Sequence, residues 1–177
     1  MHKTNLELKH TVNNFTNIRK VLRQLGAKKE GVKAQTDYFF NLPNKKHKKI
    51  SRLKLRIESG VQTLVYYERP DFKKGKGTDA DVCLYTVTDP ELLPYLQHAL
   101  GVRGVVQKRR ELWRKAHTVF NLDMVRGVGN IFEIELQKMG KLTEADRKTF
   151  KQYQQTLLPF LGGVVRGSNI DLVAKKS

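Results

Sequence analysis

Cysteine is nearly absent from this chain: Cys83 stands alone among 177 residues. One thiol can form neither an internal disulfide nor a thiolate-cluster metal site, so any bound metal needs carboxylate or imidazole ligands. Long apolar runs are missing as well. No stretch approaches the roughly 20 apolar residues of a membrane-spanning helix, and the opening MHKTNLELKH lacks the apolar core of a secretion signal. The expectation is a cytoplasmic protein with no membrane partner. Acids are scarce, 17 Asp and Glu against 34 Lys and Arg, which leaves a formal charge of +17. Such an excess points to an anionic partner such as nucleic acid, polyphosphate or a nucleotide, and says nothing of fold. With 39% hydrophobic residues the chain can build a core, which excludes a disordered basic tail. No internal repeat and no Pro/Gly/Ser-rich linker divides it, so residues 1–177 are expected to form a single domain.

Three segments carry helical spacing. Residues 14–25 place Phe15, Ile18, Val21, Leu22 and Leu25 on one stripe, and Gly26 follows as a stop signal. A second helix is expected over 90–100, with Asp89 as N-cap and Gly101 at its end. A third opens on the capping-box spacing of Thr143 and Asp146 and runs past Phe150, Tyr153 and Leu157 to Gly162.

Between them lie segments of period-two alternation. Leu6 and Leu8 alternate with Asn5, Glu7 and Lys9. Leu53, Leu55 and Ile57 alternate with Arg52, Lys54 and Arg56. Residues 121–124 repeat the pattern around Asp123, and residues 131–136 set Glu133 and Glu135 opposite Phe132, Ile134 and Leu136. Further strands are expected over 36–42, 63–69, 82–87 and 105–114, with a short last one near 170–173. Two α+β architectures accommodate this pattern. In one, an ordinary antiparallel sheet turns its charged face to water. In the other, a closed or nearly closed barrel gathers the charged faces inside and covers its apolar exterior with helices.

If the faces converge, Glu7, Asp123, Glu133 and Glu135 meet Lys9, Lys54, Arg56, Lys108 and Arg110. Carboxylates two residues apart on a strand point the same way and offer hard oxygen ligands suited to Mg²⁺ or Mn²⁺. Arg and Lys hold phosphate oxygens, Arg through its fork and Lys as a point charge. Acids among the cations would repel a polyphosphate unless a divalent ion intervened, so the mixture describes a metal-assisted triphosphate site.

In chain order the segments Leu6-Glu7-Leu8-Lys9, Gln35-Thr36-Asp37-Tyr38-Phe39, Arg52-Leu53-Lys54-Leu55-Arg56, Tyr66-Tyr67-Glu68-Arg69-Pro70-Asp71, Lys108-Arg109-Arg110 and 122–135 resemble the CYTH family, the triphosphate tunnel metalloenzymes. Within that family the chain is most similar to class IV adenylate cyclases. The resemblance covers almost the whole chain. It implies an eight-stranded antiparallel barrel, open at both ends and flanked by helices, that acts on ATP, tripolyphosphate or another triphosphate with Mg²⁺ or Mn²⁺. By position, Glu7, Asp123, Glu133 and Glu135 would be the catalytic and metal-binding acids. Lys9, Lys54, Arg56, Arg69, Lys108 and Arg110 would hold the phosphates. Cyclisation of ATP to cyclic AMP and pyrophosphate, and hydrolysis of a triphosphate, both remain open, as do monomer and homodimer. Three departures stand out: Asn5 replaces the first acid of the family's ExExK pattern, Val119 an Arg, and Asn169 an aromatic. The alternative reading is a non-catalytic module for polyphosphate or nucleic acid.

Other signals are read blandly. Lys45-Lys46-His47-Lys48-Lys49 suits a solvated hairpin tip, and Gly75-Lys76-Gly77-Thr78 lacks the adjacency of a phosphate-binding Gly-Lys-Ser/Thr loop. The five His residues are assigned to surface or loops, Trp113 and Tyr66 to packing, and Cys83 to a small buried hydrophobe.

Overall fold

The computed structural model describes residues 2–43, 49–70 and 78–174, and side chains within 6–43, 51–68 and 82–174. Lys45 to Lys48 and the stretch from Gly75 to Gly77 lie outside the described residues. Eight antiparallel strands form the sheet: β1 (His2–Thr11), β2 (Lys28–Phe40), β3 (Lys49–Glu58), β4 (Val61–Pro70), β5 (Thr78–Val87), β6 (Val102–Lys115), β7 (Thr118–Val125) and β8 (Gly129–Lys138). Helices α1 (Thr16–Gln24), α2 (Leu92–Leu100), α3 (Glu144–Leu157) and α4 (Asn169–Val173) complete an α+β domain. The hydrogen-bonded order β1-β5-β4-β3-β2-β6-β7-β8 returns to its start, because β1 pairs with both β5 and β8.

Alternation decides which side chains point where. Leu6, Leu8, Phe120, Leu122, Phe132, Ile134 and Leu136 face outward, where they pack under Ile18, Val21 and Leu22 of α1 and Phe150 and Leu157 of α3. Each such side chain taken from water contributes about 1.5–3 kcal/mol. Phe40, Leu55 and Val87 form a second outer core beneath Leu92, Leu93, Leu96 and Leu100 of α2. The opposite parity turns the charged residues toward the curled sheet's interior.

Local chemistry explains the helix ends. Thr143 caps α3 as expected: its hydroxyl accepts from the Asp146 N–H at 3.2 Å, and the Asp146 carboxylate accepts from the Thr143 N–H at 2.8 Å. Asp89 is not the N-cap of α2, a position held by Glu91. Its carboxylate instead accepts from the Glu91 N–H at 2.9 Å, forming an Asx turn just upstream. Pro94 is tolerated because it falls in the first helical turn, where no N–H partner is needed.

Three expectations are corrected. Residues 170–173 are helical, since Ser168 and Asp171 form a capping box that starts α4. β2 begins at Lys28, eight residues before the expected start. Residues 28–35 carry no alternation and are extended by pairing with β6, where Lys28 lies opposite Arg114 and Gln35 opposite Lys108. His10 is buried in β1, with Nδ1 3.0 Å from the Gly162 carbonyl, so not every histidine is at the surface.

The end of the lumen near the β2 C-terminus is filled rather than open. Phe39, Val106, Val125 and Ile131 have the inward parity, and Ile170 of α4 packs among them with Val165. Gly104 makes room for it, since a Cβ there would come within 2.5 Å of Ile170 Cδ1. The chain returns to this end by pairing with β1: the Gly162 N–H donates to the Thr11 carbonyl at 2.7 Å and the Val165 N–H to the Lys9 carbonyl at 2.9 Å.

Candidate active site

Above the Ile170 plug lies a cavity of about 220 Å³. Its walls include Glu7 and Lys9 of β1, Asp37 of β2, Lys54 and Arg56 of β3, Lys108 and Arg110 of β6, and Glu133 and Glu135 of β8. Eight of the ten residues expected in the site therefore meet at one cavity. Asp123 lies behind that wall, fully buried, and the side chain of Arg69 lies outside the described residues.

The charged residues are organised as two clasps. In the first, Arg56 Nε and Nη2 donate to the two Asp37 oxygens at 2.7 and 2.9 Å, and Lys54 Nζ donates to Oδ2 at 2.7 Å. In the second, Arg110 Nε and Nη2 donate to the Asp123 oxygens at 2.7 and 2.6 Å, and Lys108 Nζ donates to Oδ2 at 2.7 Å. The strand register explains the shared geometry: Asp37 lies opposite Arg56 and Asp123 opposite Arg110, with each lysine two residues along on the same face. Arg110 also reaches Glu133 at 2.8 Å. Lys9 contacts Glu7 and lies 3.7 Å from Glu133. Asn121 and Gln137 donate to the two oxygens of Glu135 at 3.0 and 2.8 Å.

This packing shifts proton affinities. Burial would raise the Asp37 carboxyl, but the Lys54 and Arg56 charges outweigh it and hold the group well below the usual carboxylate range. Lys54 moves the other way. Burial, then repulsion from Arg56, lower its ammonium to about 7 against the lifting pull of Asp37. Burial of Glu133 is likewise outweighed, here by Lys9, Arg110 and Lys108, so it stays ionised. The Arg110 guanidinium is held charged by Asp123 and Glu133 in spite of its burial.

Glu7, Glu133 and Glu135 are the acids whose chemistry fits a hard divalent cation. All three line the cavity, and Glu7 and Glu135 are directly paired across β1 and β8. Among the described residues no three His, Cys, Asp or Glu side chains stand close enough together to hold an ion. Lys9 is the positive charge between Glu7 and Glu133. Asp123 differs from these three in lying behind the cavity wall with both oxygens engaged by cations, Lys108 and Arg110.

Several site residues were not assigned from sequence. Asp37 belongs to the segment Gln35-Thr36-Asp37-Tyr38-Phe39, whose inward residues mix an amide, an acid and an aromatic, so no charged face announced it. Gln137 extends the parity of Glu133 and Glu135 by one step. Val65, Tyr67, Val82 and Leu84 give the cavity an apolar wall on β4 and β5, opposite in character to the charged strands. Ser168 and Asn169, at the start of α4, close one side. Val119 is buried and shares the inward parity of Asn121 and Asp123. Trp113 is a packing residue as expected, and Cys83 is half-buried. Among the described residues no helix is long and apolar enough to cross a membrane.

Comparison with known proteins gives the same architecture. The profile of the CYTH domain matches residues 3–163. No curated protein matches the chain. Among solved structures, the PH1012 protein from Pyrococcus horikoshii OT3 is similar at 26% identity and a TM-score of 0.76, covering 96% of this chain and 99% of its own. The PH1819 protein from the same organism is similar at 18% identity and a TM-score of 0.72, covering 98% and 99%. A candidate adenylate cyclase from Vibrio parahaemolyticus shares 16% identity at a TM-score of 0.69, covering 96% and 97%.

Proposed function

The chain belongs to the CYTH domain family, and from that premise we propose that it is a metal-dependent enzyme that binds a triphosphate inside a tunnel-like barrel and cleaves or cyclises it. The observation that carries this reading is the convergence of Lys9, Lys54, Arg56, Lys108 and Arg110 on one cavity with Glu7, Glu133 and Glu135. Lys54, Arg56, Lys108 and Arg110 hold phosphate oxygens, and Lys9 turns from Glu7 to do the same. Arg69 is given the same role by the family resemblance alone. Asp37 and Asp123 orient the forks of Arg56 and Arg110, which makes Asp123 a positioning residue in this proposal and not a metal ligand. The remaining acids, Glu7, Glu133 and Glu135, would hold Mg²⁺ or Mn²⁺ once Lys9 leaves Glu7 and the three close on the ion, which would supply neutralisation of phosphate charge and Lewis acidity.

The chain's own contribution is binding, orientation and the exclusion of water. Phosphoryl and nucleotidyl transfer need chiefly positioning and charge neutralisation, and a wall of fixed cations supplies both. Lys54 brings a proton with it: phosphate charge raises its proton affinity, so Nζ is an ammonium once the triphosphate is in place. At about 220 Å³ the cavity is smaller than the roughly 300–1,000 Å³ of common small-molecule sites. It therefore suits a compact polyanion. That volume takes the triphosphate chain, and the apolar wall of Val65, Tyr67, Val82 and Leu84 offers a surface to the organic part of a nucleotide that tripolyphosphate would not use.

Product identification tests the reading. Purified protein is incubated with Mg²⁺ or Mn²⁺ and, separately, tripolyphosphate, ATP and other nucleoside triphosphates. Cyclic AMP with pyrophosphate identifies a cyclase, and orthophosphate a triphosphatase. Absence of product with every substrate would sink the enzymatic reading in favour of a binding module.

A further inference from the structure

The lumen does not account for the charge of this protein. Among the described side chains its five cations and five carboxylates, counting Asp37 and Asp123, cancel one another, so nearly all of the excess of +17 is carried by the rest of the chain. Part of that excess is concentrated at one corner, where the end of α1 meets the start of β2 and the end of β6. Arg19, Lys20 and Arg23 come from α1, Lys28 and Lys29 from β2, and Arg114 and Lys115 from β6. The strand register places Lys28 directly opposite Arg114 and Lys29 opposite Trp113. Arg23 lies over the Trp113 ring, 5.6 Å from its centroid, which brings α1 to the same place. The Lys115 ammonium donates to the Leu25 carbonyl at 2.5 Å.

Among the described residues two acids, Glu111 and Glu30, answer these seven cations. Glu111 accepts both donors of Arg19, at 3.0 and 3.1 Å, and lies 3.5 Å from Lys29. Glu30 accepts from Arg114 at 2.6 Å. Arg19 and Glu111 anchor α1 to the sheet and explain themselves. Lys20, Arg23 and Lys28 are exposed; Arg23 has the Trp113 ring beneath it, while like charges paired directly across a ladder, as Lys28 and Arg114 are, cost stability. An arrangement that the fold does not need suggests an external anion.

We propose that this corner, Lys20, Arg23, Lys28 and Lys29 with Arg114 beside them, binds the phosphate backbone of double-helical nucleic acid, as a second surface separate from the lumen. The duplex is favoured over a single strand because sequence-tolerant single-strand binding relies on exposed aromatic rings for base stacking. The rings beside these cations are used internally: Trp113 and Phe15 are buried, and Tyr153, under Lys115, packs edge-on against Phe120. Contacts to phosphates alone read no sequence, so the surface binds without sequence preference.

The test measures anisotropy of end-labelled duplex DNA and duplex RNA of mixed sequence against the full chain over a salt series. Four phosphate contacts predict a slope of log K against log salt of about −3.6, a loss of about 100-fold between roughly 50 and 200 mM salt. The variant Lys20→Gln/Arg23→Gln/Lys28→Gln should flatten the slope by about 2.7 and lower affinity at least about tenfold in 50 mM salt. Its triphosphate binding should be unchanged. If that variant folds poorly by thermal melt, Lys20→Gln/Lys28→Gln reads the same way with a slope change of about 1.8. Arg109→Gln/Arg126→Gln, which removes exposed cations from the outer face of β6 and the β7–β8 turn, should have little effect. The proposal is overturned by absence of duplex binding at low salt, by equal losses in the control variant, or by capture of anionic phospholipid vesicles in place of duplex.

Discussion

The two clasps share one design and differ in how much freedom they leave. Each places an aspartate opposite an arginine in register, with a lysine two residues along completing the grip. Around Asp37, the Arg56 side chain retains 23% of its exposure. Around Asp123 the Arg110 side chain retains 8%, and its guanidinium is also held by Glu133. The same three residue types therefore make a partly open grip on one side of the cavity and a locked one on the other. Burial of an ion pair adds little net stability, but removal of one partner leaves a charge with nowhere to go. The Asp123 clasp is thus the part of the site most closely tied to folding, and the Asp37 clasp the part with cations to lend.

Removing the acids separates the two most sharply. Asp123→Asn leaves Lys108 and Arg110 buried against a neutral amide, with an expected loss of about 3–5 kcal/mol. Urea unfolding measures it. Asp37→Asn faces partly hydrated partners and should cost about 1–3 kcal/mol. Equal losses would show that the clasps do not differ as their burial says.

Strand parity made most of this site legible in the sequence. Glu7 and Lys9, Lys54 and Arg56, and Glu133 and Glu135 each sit two residues apart among aliphatics, so their common face could be read without coordinates, whereas Lys108 and Arg110 flank Arg109 and share only the spacing. Asp37 escaped because its inward neighbours are Gln35 and Phe39, which do not look like one surface until β3 brings Lys54 and Arg56 across. Residues 28–35 escaped for a related reason: their extended form comes from pairing with β6, a long-range contact that leaves no local period. Ile170 was read as part of a strand because its aliphatic neighbours outweighed the Ser168–Asp171 cap. The plug it forms could not be foreseen, since its socket of Phe39, Val106, Val125 and Ile131 is drawn from four strands that all lie far from Ile170 in sequence.

Substrate affinity should divide the clasps in the opposite sense from stability. Arg56→Gln removes a charge-assisted phosphate contact from the more open side, and triphosphate binding should weaken by about 1.5–3 kcal/mol, with a stability loss of about 1–3 kcal/mol because Lys54 still holds Asp37. Arg110→Gln should instead show a large stability loss, because Asp123 and Glu133 lose their shared donor. Calorimetric titration with tripolyphosphate beside thermal melts reads both quantities. A stable Arg110→Gln protein with weak binding would show that the locked clasp is as free to hold phosphate as the open one.

The smallest expected effect concerns a proton. In the free protein Lys54 titrates at about 7, lowered first by burial and then by Arg56, so it is losing its proton just above neutrality. A bound triphosphate favours the ammonium and draws that proton back. Binding should therefore take up a fraction of a proton at pH 7 and nearly one at pH 8, and affinity should fall as pH rises through this window by at most about tenfold per unit. Stability runs the other way: the unfolded lysine keeps its proton to about 10.4, so between about 7 and 10 unfolding takes up a proton and this group makes the fold more stable as pH rises. Titrations in buffers of different ionisation heat count the protons. Lys54→Arg, charged throughout this range, supplies the baseline, and a proton count equal to that of the variant would place the titrating group elsewhere than in the open clasp.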